Sequence, residues 1–239
     1  MTIYEKDLIF SGRVIPLHVR EYAYARRFTL RIDVRTQKVF LTIPPAINLC
    51  TVERFIDKHR TWIESQLSRE NYSIKEGVKI PLLGIAHTIT RKEGRGVFEI
   101  IEGDTTQEPK IVIYSRAEHL PRRVADVLKK QAEIIITPLV THYAQKVERE
   151  VKSVRYKDTK SRWGSCSVDG RLSFSWRLIM APKEIIEYVV AHEIAHLIEM
   201  NHGIRFWTLC EKLYPGSKTY RAWLKKNGHT LQAINFHDR

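Results

Sequence analysis

Between Pro182 and Gly203 the chain carries neither glycine nor proline, and the part up to Leu197 is largely apolar. Such a run folds as a buried helix. Within it stands His192-Glu193-Ile194-Ala195-His196. Positions i and i+4 of a helix share a face one turn apart. Both imidazoles then reach one cation, at metal–nitrogen distances of about 2.0–2.1 Å for zinc. Glu193 is turned roughly 100° from His192, so it faces the open side of the metal rather than the metal itself. The motif therefore demands a helix, expected from about Lys183 to Glu199. Pro182 stands at its first turn, where a missing N–H costs little.

A catalytic zinc needs a third protein ligand. His202 is the leading choice. Asn201 and Gly203, which flank it, tolerate left-handed backbone, so the helix can end near Met200 and the chain fold back. Glu199 and Glu211 are the rivals, the first as a hydrogen-bond partner of a ligand and the second as a ligand. Zinc lowers the pKa of a bound water toward about 7, and Glu193 is placed to take the proton and return it to a leaving amine. The expected chemistry is hydrolysis of a peptide bond with one Zn2+ ion on His192, His196 and His202. The competing readings are a zinc protein acting on DNA-bound proteins and a zinc module without turnover.

The run Tyr188–Leu197, then Met200-Asn201-His202-Gly203, then Arg205-Phe206-Trp207, resembles the YgjP-like metallopeptidases, relatives of the SprT and WLM proteases. Lys160–Ser167 and Leu172–Leu178 match the same family's upstream block. The resemblance implies zinc on the three histidines, Glu193 as base, and a zincin-like catalytic domain. In zincins an edge strand beside the motif helix pairs with extended substrate, because its unpaired backbone groups form a template. Ser161–Cys166 and Ser173–Arg177 are the candidates for that edge, and Arg162 and Tyr156 are candidates to stabilise an oxyanion.

The rest of the chain reads as strands first and helices later, hence α+β. Leu8–Phe10, Ile15–Arg20, Phe28–Val34 and Lys38–Ile43 alternate apolar and polar residues. Thr51 is the expected N-cap of a helix whose apolar stripe is Val52, Phe55, Ile56, His59, Trp62 and Ile63. Further strands are expected over about 79–114. A long helix follows over about 117–147, with Pro138 kinking or interrupting it. A hairpin of Ser153–Tyr156 with Leu172–Trp176 comes next, and the last helical segments are Gly203–Leu213 and Tyr220–Lys226. We find no internal repeat. The expected domains are a β-rich region with one helix, 1–115, and the catalytic domain, 116–239.

Forty Lys and Arg against 27 Asp and Glu give a net charge of +13. The excess attracts polyanions, so nucleic acid joins protein or peptide among the expected partners. The positives are spread along the chain rather than massed. No run approaches the roughly 18 apolar residues of a membrane span, and no secretory leader is evident. Cys50, Cys166 and Cys210 make no disulfide framework, which suits a reducing cytoplasm. Cys166 is expected to be a partly buried thiol rather than a nucleophile. Phe206 and Trp207 are expected to pack beneath the metal site. His229 and His237 read as exposed tail residues, and His59, His87, His119 and His142 receive no role.

Overall fold

The computed structural model describes residues 2–10, 12–33, 36–67, 74–159 and 161–236. Val34, Lys160 and His237, named above, lie outside the described residues. The chain forms two compact units, Met1–Tyr72 and Ser73–Arg239.

In the first unit, β1 (Thr2–Phe10), β2 (Arg13–Glu21), β3 (Thr29–Asp33) and β4 (Lys38–Ile43) form a sheet in the order β1-β2-β4-β3. Its strands obey the alternation of the sequence: Ile15, Leu17 and Val19 are buried, as are Val39, Leu41 and Ile43. Two helices follow where one was expected, α1 (Leu49–Lys58) and α2 (Arg60–Leu67). The break falls at His59, whose ring bonds to the Phe55 carbonyl at 2.8 Å. The N-cap of α1 is Asn48 rather than Thr51: Asn48 Oδ1 accepts from the Thr51 N–H at 2.9 Å and from its hydroxyl at 2.7 Å. Trp62 departs from the expected core stripe and is 45% exposed.

The second unit opens with β5 (Lys79–Leu82), β6 (Ile85–Lys92), β7 (Phe98–Ile101) and β8 (Lys110–Tyr114), in the order β5-β6-β8-β7. This repeats the first sheet. In each, strands one and two are antiparallel, two and four parallel, three and four antiparallel. The repeat is one of topology, which residue-by-residue reading does not detect. The division also falls earlier than the expected 115/116. Ile80, Ile89, Ile111 and Ile113 share one apolar core with Val124, Leu128 and Ile136 of the following helix, so the second sheet belongs with what comes after it.

That helix, α3 (Leu120–Lys146), follows a single 3-10 turn at Ala117–His119 and runs through Pro138 without interruption. Pro138 lies on the exposed side, and Ile134, whose carbonyl loses its partner, is 49% exposed. Water can satisfy that carbonyl, so the helix tolerates the ring. Next come β9 (Ser153–Lys157), β10 (Gly164–Cys166) and β11 (Arg171–Ser175). The expected hairpin of β9 with β11 is a parallel pair instead. The hairpin is β10–β11, closed by a turn in which Gly170 takes φ +77° and its N–H bonds to the Ser167 carbonyl. A side chain at 170 would be strained in that left-handed conformation. The sheet order β10-β11-β9 leaves β10 at an edge and β11 in the centre. Of the two proposed edge segments, only Ser161–Cys166 contains an edge strand.

After a 3-10 stretch (Trp176–Met180) come α4 (Lys183–Ala195), α5 (Ile204–Leu213) and α6 (Ser217–Ala233). α4 is buried nearly all round, as a helix without a polar face must be. None of the helices among the described residues is long and apolar enough to cross a membrane.

Candidate metal centre

α4 sets His192 and His196 one turn apart. His196 is its C-cap. The chain then tightens: the N–H groups of Ile198 and Glu199 both reach the Ala195 carbonyl. It reverses through Asn201 without left-handed backbone, since Gly203 has φ −80° and Asn201 is not among the positive-φ residues. Gly203 caps α5, and the turn brings His202 back over α4.

The result is a cluster in which one ring nitrogen from each of His192, His196 and His202 lies within 4.8 Å of the others. His192 Nε2 and His202 Nε2 are 3.1 Å apart. Two ligands of a tetrahedral zinc at about 2.05 Å stand about 3.3 Å apart, so the spacing suits such an ion. His196 Nδ1 donates to the Glu199 carbonyl at 3.0 Å, which leaves Nε2 free to bind. Glu199 thus supports the site through its backbone, not its carboxylate. Tyr188 Oη lies 3.4 Å from His192 Nδ1 and plays the corresponding part there. Such partners fix the tautomer and aim the ring.

Phe206 forms the floor. It is fully buried, and its ring stands 4.9, 4.4 and 4.7 Å from those of His192, His196 and His202. Trp207 stacks on His202, and its indole N–H donates to the His202 carbonyl at 3.1 Å. Both residues hold the loop from below and beside. Glu211, the rival third ligand, is spent elsewhere. Its carboxylate accepts from the Gly216 and Ser217 N–H groups and the Ser217 hydroxyl, capping α6.

Burial lowers the His192 pKa to about 3, with the neighbouring imidazoles adding to the effect, and it lowers that of His196 as well. Neutral rings are what a cation requires. Burial also pushes the Glu193 carboxyl up to about 7, against the pull of Arg162. Glu193 is 6% exposed and leans on β10. A Cβ built on Gly164 would stand 2.5 Å from Glu193 Cγ and Oε1. Glycine at 164 thus makes room for the carboxylate.

Glu193 and His192 open onto a cavity of about 520 Å³, bordered by Arg162, Trp163 and Gly164 on one side and by α6 on the other. Arg162 therefore lies at the site, whereas Tyr156 bonds to Thr137 at 2.9 Å and does not line the cavity. Cys166 is half-buried and donates to the Ser167 carbonyl. Burial and the charge of Glu193 push its thiol up to about 11, so it is no thiolate nucleophile. His59, His87, His119, His142 and His229 stand outside the only metal-competent group among the described residues. Sequence reading missed Tyr188 as a partner of His192, although its place one turn upstream on the same face was visible. Trp163-Gly164 reads in sequence as a place of close backbone approach, but that Glu193 is what approaches Gly164, and that α6 residues border the cavity, only the fold shows.

A family model over most of the chain places the protein among metal-dependent peptidases. It belongs, more narrowly, to the YgjP-like family: the family model described as YgjP-like, metallopeptidase domain, matches residues 28–227. Among solved structures the chain is similar to the metallopeptidase zymogen of Pyrococcus abyssi abylysin, at 24% identity and a TM-score of 0.34. The match covers 38% of this chain and 93% of that one. It is also similar to the zymogen of Methanocaldococcus jannaschii jannalysin, at 20% identity and a TM-score of 0.34, covering 40% and 96%. No curated protein matches.

Proposed function

We propose that this protein is a zinc peptidase in which His192, His196 and His202 hold one ion and Glu193 is the general base. The single observation that carries the reading is the convergence of three imidazoles beside a buried carboxylate. When bound, zinc polarises a carbonyl and lowers the pKa of water.

The protein's own groups do the rest. Glu193 takes a proton from water at a carboxylate oxygen and passes it to the leaving amine. Its raised pKa, near 7, suits both tasks. The β10 edge offers unpaired backbone groups to an extended peptide next to Glu193. Arg162, at the rim, is placed to face negative charge developing on the scissile carbonyl oxygen.

The test is metal stoichiometry with a ligand variant. Purified protein should hold one zinc per chain and lose proteolysis on chelation. His202→Ala should weaken zinc binding at least tenfold, because two histidines from one helix turn leave the ion under-coordinated. Zinc affinity unchanged in His202→Ala would remove this histidine from the site. Gly164→Ala tests the setting of the base. The added methyl must displace Glu193, and misplacement of about 1 Å costs on the order of 100-fold in turnover. Metal content should stay at the wild-type level; unchanged kcat would show that the exact position of the carboxylate does not matter.

A further inference from the structure

We infer that the cavity beside His192 and Glu193 selects substrates carrying a carboxylate, so that the peptide it takes is an acidic one. The inference rests on the peptidase reading above and adds the substrate class. Four cations border this cavity: Arg162 from the segment before β10, and Lys218, Arg221 and Lys225 from α6. Glu193 is the sole carboxylate among the lining residues. The α6 cations follow helical spacing, 218, 221, 225, and so form one stripe along the cavity. Like charges at this spacing repel and weaken a helix. The helix has no acidic residue from Ser217 to Ala233 to offset them.

Arg221 is fixed in place. Its guanidinium lies 4.3 Å from the centre of the Trp207 ring, and that ring stacks in turn on His202. A cation over an indole face is attracted by the ring quadrupole and needs no carboxylate to hold it. Arg162, Arg221 and Lys225 make no ion pair among the described residues. The Glu211 carboxylate, which feels the charge of Lys218, is already bonded at the start of α6. The cations thus keep their hydrogen-bonding capacity for a ligand. A carboxylate on the substrate, whether an Asp or Glu side chain or the free carboxyl terminus, meets them on entering the cavity. Charge-assisted bonds of this kind, to Arg221 above all, set both orientation and preference.

The experiment measures binding and cleavage of matched peptides by the full-length, zinc-loaded chain. Four N-acetylated peptides of equal length are compared: Glu-containing with an amidated end, Gln-containing with a free carboxyl end, Gln-containing and amidated, and Lys-containing and amidated. Dissociation constants come from anisotropy with peptide integrity checked by mass. At least one carboxylate peptide should bind about tenfold tighter than the neutral amide. A preference for the first places the carboxylate on a side chain; a preference for the second places it at the chain end. Arg221→Gln should erase the preference, Arg221→Glu should turn it toward the Lys peptide, and Lys225→Gln should reduce it.

Equal binding of acidic and neutral peptides overturns the inference, as does a preference that survives in Arg221→Gln. So does a single-stranded oligonucleotide that outcompetes the acidic peptides through the same arginine. Zinc-dependent cleavage of all peptides alike would sink this inference and leave the peptidase reading standing. A carboxylate preference in binding without any cleavage would count against the peptidase reading and leave only the cavity's preference for carboxylate ligands.

Discussion

Glu193→Gln is expected to retain its zinc and to lose hydrolysis by about 10²–10⁴-fold, the usual contribution of a positioned general base. Gln has nearly the same shape, so the contact with β10 survives and the histidines keep their places. What is lost is the ability to accept a proton from water and return it to the amine. The variant should be no less stable than the wild type, because Glu193 is 6% exposed and burial disfavours its charged form. Gln removes that cost. Metal analysis, a melting curve and kcat/KM on one peptide check all three statements. Full activity with full metal in this variant would end the general-base assignment, whatever the ion.

The second large effect concerns stability. Arg177→Met is expected to destabilise the second unit by roughly 3–5 kcal/mol, because a fully buried guanidinium loses four hydrogen bonds, two of them to a carboxylate. Arg177 is wholly buried, and its guanidinium packs against the rings of Trp176 and Phe236, each centred 4.9 Å away. Its guanidinium bonds to both oxygens of Asp158, at 2.6 and 3.3 Å, and to the carbonyls of Leu231 and Ile234 at 3.1 and 2.8 Å. Those carbonyls lie at the end of α6, where unsatisfied acceptors gather. Met fills much of the same volume but takes away the guanidinium that donates to the Asp158 carboxylate and to the Leu231 and Ile234 carbonyls. A loss of about 3–5 kcal/mol lowers the melting midpoint of a domain this size by roughly 10 °C. Denaturant melts of the variant check it. The double variant Arg177→Met with Asp158→Leu should recover part of the loss, since the carboxylate that faced the guanidinium is then removed with it. A melting curve unchanged in the single variant would show that the buried network contributes little.

Much of the site was legible in sequence because helix geometry is local. The spacing of His192 and His196, and the rotation of Glu193 away from them, follow from 3.6 residues per turn once the run is known to be helical. His202 was legible for a related reason: a short tether cannot carry a ring far. Strand positions in the first unit were equally open, since alternation with period two declares a buried face.

Other features were closed to such reading. Parallel pairing of β9 with β11 is a long-range choice, and nothing in Ser153–Tyr156 distinguishes a parallel partner from an antiparallel one. The duplicated strand order of the two sheets resides in connections, not in residue identity. Arg177 reads as a surface cation because arginine is rarely buried. Its burial depends on Asp158 and on the end of α6, which lie far away along the chain.

The amino-acid sequence thus determined the α+β character, the motif helix and the convergence of two histidines, with the third held close by its short tether. These depend on backbone periodicity within a few residues. Only the tertiary structure decided that Gly164 yields its space to Glu193, that Phe206 underlies all three rings, and that the cations of α6 face the same cavity. Each of those contacts joins segments whose meeting is set by how the whole core packs, and no local rule encodes it.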